Sequence, residues 1–225
     1  MKGGQSSVSI QGLKGGVDLT RVWYANRGST YVTADTKGVA GYRVVIVDIE
    51  TTGYHPYRDD IVALRWKVLS ANGDPGGSLH EEYAWSPKNV AEGYSDGKRY
   101  TTGYQKQMFE SFKQSVFDGA AGKVVLVSSR CEQFVLPFMW NAMHVKYSLM
   151  DTPFMYVDVL EQYNKTYSED SYIVFTDVDH AFRDIYRITS DRIGSIQGVY
   201  EHLYANNQAD VREFRVRGEA DHTPS

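Results

Sequence analysis

The stretch Val44–Leu64, VVIVDIETTGYHPYRDDIVAL, decides how this chain is interpreted. Four apolar residues lead directly into two carboxylates, Asp48 and Glu50, which stand one residue apart and precede Thr-Thr-Gly. Side chains at positions i and i+2 of a strand point to the same side, so both carboxylates project together from the strand's end. Hard divalent cations such as Mg²⁺ and Mn²⁺ prefer oxygen ligands, which makes Asp48 and Glu50 candidate metal ligands.

The composition of the 225 residues is typical of a packed globular protein, with 42% hydrophobic and 23% charged residues. No apolar run approaches the roughly 18 residues that a membrane span needs, and the N-terminal segment lacks the apolar core of a secretion signal. The single cysteine, Cys131, excludes an intrachain disulfide and a cysteine-rich zinc site. We therefore expect a cytoplasmic protein, of a cell or of a virus-infected cell, with no membrane partner.

The net charge of −4 disfavours a protein that coats nucleic acid non-specifically, because phosphate binding favours a basic surface. It is compatible with an enzyme of nucleic acid, since such a site gathers carboxylates around cations and the cations then meet the phosphates.

The chain is predicted to have three parts. Residues 1–41 form an N-terminal extension with a hairpin, since two β-rich runs flank the turn signal Asn26-Arg27-Gly28. Residues 42–206 form one domain, and residues 207–225 form a polar C-terminal tail.

Hydrophobic patterns within the domain predict the order β-β-β-α-β-α-β-α-α. This order favours an α/β fold, a mixed sheet of five strands flanked by helices, with the second strand antiparallel to the first. Residues 78–87, SLHEEYAWSP, are predicted to form an edge strand because they carry charge and end at a proline.

The segment VDIETTG, Val47–Gly53, is followed after a short loop by DDIVAL, Asp59–Leu64. Together they resemble the first motif of the DEDD superfamily of 3′–5′ exonucleases. The resemblance implies a ribonuclease-H-like fold and a divalent-metal-dependent exonuclease that hydrolyses phosphodiesters with two Mg²⁺ or Mn²⁺ ions. Single-stranded DNA or RNA 3′ ends would be its partners, and a protein partner is a further expectation.

The resemblance also assigns roles to residues of the first motif. Asp48 and Glu50 would bind the metal ions, and Glu50 would belong to the catalytic set. The three residues that follow would lie against the terminal nucleotide: Thr51, Thr52 and Gly53.

The second motif of the family, of the form H-N-x-x-F-D, corresponds to LVSSRCEQFVLPFM, residues 126–139. The metal-binding Asp then falls on Val135, which cannot bind a metal, and position 135 is expected to face the metal site. Glu132 lies three residues earlier, about one helical turn away, and is a candidate replacement ligand. The other interpretation is that Glu132 is an ordinary carboxylate in the first turn of a helix.

The third motif has two possible positions. In one, Asp191 opens the last helix as a metal ligand and Tyr186, five residues earlier, takes the position of the family's His. In the other, Asp184 is the metal ligand and His180, four residues earlier, is its partner. Tyr186 or His180 would orient or deprotonate the attacking water.

Two functions from different classes follow. The first is the metal-dependent exonuclease, weakened by the loss at Val135. The second is a catalytically inactive protein of exonuclease fold that acts as a nucleic-acid-binding or protein-interaction scaffold, since a fold alone does not imply its chemistry.

Overall fold

The structure is a computed structural model that describes residues 42–69, 77–84, 102–171 and 174–214. The hairpin predicted within residues 1–41 lies outside the described residues.

The described residues form a six-stranded sheet in the order β3-β2-β1-β4-β5-β6. The strands are β1 (Arg43–Thr51), β2 (Ile61–Val68), β3 (Leu79–Tyr83), β4 (Val124–Ser128), β5 (Phe154–Asp158) and β6 (Arg212–Phe214). Strand β1 pairs antiparallel with β2 and parallel with β4, so it lies inside the sheet. Strand β3 lies at one edge, where the sequence places it.

The mixed sheet and the antiparallel β1–β2 pair agree with the predicted architecture, but the number of strands does not. The sequence predicted five strands, and the sixth, β6, lies in the segment predicted as a polar tail. Arg212 and Phe214 are buried there, and β6 pairs antiparallel with β5. Three residues are too short to show an alternating pattern, so the pairing depends on contact with β5.

Five helices flank the sheet in the described ranges. They are α1 (Thr102–Val116), α2 (131–146), α3 (Val159–Ser171), α4 (Val178–Tyr186) and α5 (Arg192–Ala205). Three helices follow β5, where the sequence predicted two. Helix α2 begins and ends with π-helical segments, Cys131–Val135 and Asn141–Lys146. None of the helices in this part of the chain is long and apolar enough to cross a membrane.

Two hydrophobic cores lie on opposite faces of the sheet. Val45 and Val47 of β1 belong to the first core, against α1 and α2. Val44 and Ile46 belong to the second core, against α3, α4 and α5. Because side chains alternate along a strand, Asp48 lies on the face of the second core. The start of α5 packs on that same face, which brings it to the end of β1.

Candidate functional site

The structure brings Asp48 and Glu50 together at the end of β1, around Arg65 of β2. Arg65 is the direct cross-strand partner of Asp48, and its Nη1 lies 3.5 Å from Asp48 Oδ2. Its Nη2 contacts Glu50, and its Nε lies 2.5 Å from Oε1 of Glu81 on β3. One guanidinium on β2 therefore joins carboxylates from the two strands on either side of it, β1 and β3.

Arg192, the first residue of α5, approaches Asp48 from the other side. Its Nε lies 3.8 Å from Asp48 Oδ1, and its Nη1 lies 2.6 Å from Asp177 Oδ1 and 3.4 Å from Asp179 Oδ2. Its Nη2 also donates a hydrogen bond to Ser129 Oγ at 3.1 Å. Arg192 thereby links the end of β1 to the start of α4.

We call these seven side chains the arginine-bridged cluster: Asp48, Glu50, Arg65, Glu81, Asp177, Asp179 and Arg192. Five carboxylates and two guanidinium groups give it a formal charge of −3. Burial raises the pKa of Asp48 to about 6, although Arg192 and Arg65 oppose this shift. Burial also opposes ionisation of Asp177, but the backbone N–H of Asp179 and the Arg192 guanidinium hold the pKa of Asp177 below its usual value.

The side chains of the cluster do not fit a divalent metal ion in this arrangement. Both carboxylate oxygens of Asp48 face guanidinium groups, one from Arg65 and one from Arg192. Within the described ranges, no group of three or more His, Cys, Asp or Glu residues is placed to hold a metal ion. The physical reason is that each arginine stands between the carboxylates that an ion would have to draw together.

The second-motif residues lie on the opposite face of the sheet. Glu132 accepts a hydrogen bond from the hydroxyl of Tyr156, which belongs to the first core, and lies 3.5 Å from Arg212 Nη1. Val135 is 3% exposed and packs in the same first core. The sequence-based expectation that position 135 faces the metal site is therefore wrong, because α2 covers the face of β1 from which Asp48 points away.

The third-motif residue Asp191 caps its own helix. Its Oδ1 accepts a hydrogen bond from the Gly194 N–H at 2.6 Å, as the N-cap of α5. The side chain that reaches Asp48 from the start of α5 is instead Arg192, one residue later. A cation thus stands where the resemblance leads one to expect a metal-binding carboxylate.

The alternative third-motif residues are also spread apart. Asp184 accepts a hydrogen bond from Tyr163 at 3.1 Å, and the Tyr186 hydroxyl donates to the Gly198 carbonyl at 3.0 Å. Neither Asp184 nor Tyr186 takes part in the arginine-bridged cluster in the described part of the chain. His180 is exposed in the first turn of α4, and its electrostatic interaction with Asp177 places it at the rim of the cluster.

The residues after β1 form an ordered loop. Thr51 Oγ1 donates to the Gly53 carbonyl at 2.6 Å. The Thr52 N–H donates to the Asp60 carbonyl at 2.9 Å, and the Asp60 N–H returns a bond to Thr52 Oγ1 at 3.0 Å. At Gly53, an added Cβ would lie 2.3 Å from Asp59 Oδ2, so the carboxylate packs where a side chain would otherwise be.

An exposed aromatic side chain lies near the start of this loop. Tyr54 is 82% exposed, and its ring centroid lies 6.4 Å from that of Phe134 on α2. The loop therefore presents a flat apolar surface to solvent, directly after Thr51–Gly53.

One solved structure gives a weak match to this chain. A solved structure of "Exonuclease I (apo)" matches with a TM-score of 0.46 and 12% sequence identity. The match covers 73% of this chain but only 42% of that one, so the chain spans less than half the length of that protein. No protein-family model matches the chain, and no curated protein matches it.

The sequence-based reasoning did not identify five residues of the cluster as site residues: Arg65, Glu81, Asp177, Asp179 and Arg192. Arg65 left a signal, because a charged residue inside the apolar run IVALRWKV needs a partner once the strand is half buried. Arg192 left no such signal, since an arginine next to a helix start is ordinarily a surface residue.

Proposed function

We propose that this chain is a non-hydrolytic protein of nuclease-like fold that binds a single-stranded nucleic-acid 3′ end at the loop after β1. The observation that carries the proposal is the contact between Arg192 and Asp48. Two-metal hydrolysis needs several carboxylates that hold two ions about 3.5–4 Å apart. Arg192 and Arg65 neutralise Asp48 instead, and a guanidinium supplies positive charge without activating a water.

The loop after β1 supports binding of a strand end. The exposed ring of Tyr54, with Phe134 beside it, is suited to stacking on a base. Such stacking contributes about 1–3 kcal/mol per base and tolerates any base, since every base has a π face. The resemblance of Thr51–Gly53 to residues that lie against a terminal nucleotide points to the same loop.

The negative charge of the arginine-bridged cluster affects how a nucleic-acid strand could bind. A formal charge of −3 repels phosphates, so the strand would be bound mainly by stacking and by backbone contacts. We therefore expect modest affinity that changes little with salt, unlike binding that rests on many phosphate contacts.

A second candidate, the metal-dependent 3′–5′ exonuclease, is favoured by the same charge. A cluster with three excess negative charges attracts Mg²⁺ or Mn²⁺, and burial together with Glu50 disfavours the ionised form of Asp48 when no ion is bound. This function requires Arg192 to leave Asp48 when an ion binds.

One experiment separates the two candidates. Labelled single-stranded DNA and RNA are incubated with the protein in Mg²⁺, Mn²⁺ or EDTA, and both binding and strand length are measured. Our proposal expects binding in all three conditions without shortening. Tyr54→Ala should weaken binding about tenfold or more. The control Tyr204→Ala, which removes another exposed tyrosine, should not.

Shortening from the 3′ end that needs metal and is lost in Asp48→Ala would establish the exonuclease instead. If the wild-type protein neither binds nor shortens either strand, both candidates are wrong.

A further inference from the structure

The last segment of α2 contacts the β1–β2 loop, residues 52–60, through two side chains. Asn141 Nδ2 donates a hydrogen bond to the Pro56 carbonyl at 2.6 Å. Lys146 Nζ lies 2.7 Å from Asp60 Oδ1. The two contacts meet the loop near its middle and at its end, so they fix it at two separate points.

These two residues are the first and the last of a π-helical segment, Asn141–Lys146. Residues five apart in a regular α-helix point in clearly different directions. A π-helical turn bonds residue i to residue i+5, as the Tyr147 N–H does to the Ala142 carbonyl at 3.1 Å, and so brings residues five apart onto one side. The widened turn is what lets Asn141 and Lys146 face the loop together.

A buried amide extends the Lys146 contact to α1. Gln105 Nε2 donates to the Ile61 carbonyl at 2.9 Å and to Asp60 Oδ1 at 3.2 Å, while its Oε1 accepts from Lys146 at 2.7 Å. Burial disfavours the Lys146 ammonium, but its bond to Asp60 raises the pKa of Lys146 above the usual value. Lys146 therefore stays charged at neutral pH and keeps its bond to the end of the loop.

We infer that Asn141 and Lys146 are positioning residues, which hold the β1–β2 loop in the conformation that presents Tyr54 and thereby set the affinity for a strand. The effect on affinity rests on the proposed function, whereas the effect on the loop does not. The π-helical segment would then be a functional feature of α2, because regular α-helical geometry would turn one of the two side chains away from the loop.

The test uses the full chain with Lys146→Gln and Asn141→Ala. Lys106→Gln is the matched control for charge, since Lys106 is an exposed residue of α1 that pairs with Glu110. Asn206→Ala is the matched control for a lost amide bond, because Asn206 Nδ2 donates to the His202 carbonyl at the end of α5. Hydrogen exchange of peptides covering residues 52–60 and oligonucleotide affinity are measured for all four variants.

Both loop variants should exchange about three- to tenfold faster in residues 52–60, as expected for one or two lost hydrogen bonds, with β4 and β5 unchanged. The affinity of both loop variants for the oligonucleotide should fall by a similar factor. Both controls should match the wild type in exchange and in affinity. Loop exchange equal to the wild type in both variants would overturn the inference, and so would unchanged affinity if the wild type binds. If the wild type does not bind, the proposed function fails, and loop exchange alone decides whether Asn141 and Lys146 position the loop.

Discussion

The guanidinium of Arg192 lies against the carboxylate of Asp48, with 3.8 Å between Nε and Oδ1. This contact joins the first residue of α5 to the end of β1, and Arg65 contacts the same carboxylate from β2. A carboxylate on a buried strand end needs positive charge beside it, and in this protein two side chains provide that charge.

If Arg192 takes the place of a cation, then Arg192→Asp should create a metal site. The variant would place a third carboxylate beside Asp48 and Asp177 and remove the charge that neutralises them. We expect Mn²⁺ to raise the melting temperature of the variant clearly, since an ion at 100 times its Kd stabilises a protein by about 2.7 kcal/mol. The wild type should respond little. Thermal unfolding with and without millimolar Mn²⁺ measures both.

Arg183→Asp is the control for this charge reversal, because Arg183 is an exposed residue of α4. It should respond to Mn²⁺ as the wild type does. Equal Mn²⁺ shifts in Arg192→Asp and Arg183→Asp would contradict the view that Arg192 stands in for an ion.

Asp158 should make stability depend on pH in the mildly acidic range. Its side chain is 4% exposed at the end of β5, and burial raises its pKa to about 6 although it accepts backbone N–H bonds from Glu161, Cys131 and Arg130. A carboxyl whose pKa is raised on folding contributes stability that is fully present below its unfolded pKa of 3.8 and is lost as the pH rises through about 6. The free energy of unfolding should therefore fall between pH 4 and pH 6.

Urea unfolding at several pH values measures this slope. Asp158→Asn should reduce the slope, and it should not abolish it, since Asp48 titrates in the same range. An unchanged slope in Asp158→Asn would show that Asp158 does not titrate there.

Gly53→Ala should strain the loop through Asp59. The new Cβ would lie 2.3 Å from Asp59 Oδ2, and that oxygen accepts the His55 N–H at 2.9 Å, so the carboxylate cannot move without losing its bond. We expect a loss of about 1–3 kcal/mol in the free energy of unfolding. In Gly53→Ala with Asp59→Ala, the two losses should be less than additive, because the clashing group is gone. Fully additive losses would mean that the two residues do not meet.

Val135→Asp should destabilise the protein, and it should not increase metal affinity. Val135 packs among apolar side chains of the first core, where a carboxylate would have to be buried. We expect a loss of about 2 kcal/mol or more, larger at pH 8 than at pH 5 because the buried group protonates as the pH falls. Val135→Ala, which only creates a cavity, should show no such difference between the two pH values. A gain in Mn²⁺ affinity in Val135→Asp would restore the interpretation based on the second motif.

The sequence by itself was sufficient to predict those elements whose residues carry a local hydrophobic or charge pattern. The apolar run before Asp48 predicted β1, and the charged run that ends at a proline predicted the edge strand β3. Strand periodicity predicted that Asp48 and Glu50 lie together. These features depend on residues close in the chain, and alternation alone decides which face a strand residue takes. Strand β6 was missed because three residues are too short to show an alternating pattern, and the helices after β5 were predicted as two where the structure has three.

Only the tertiary structure decided what meets Asp48. Asp191 and Arg192 are neighbours, but successive residues at a helix start point about 100° apart, so one caps the helix and the other reaches β1. Glu132 likewise lies away from Asp48, because α2 packs on the opposite face of the sheet. Whether Asp48 belongs to a metal site or to an arginine bridge depends on which side chain lies beside it. That is decided by how elements far apart in the sequence pack together.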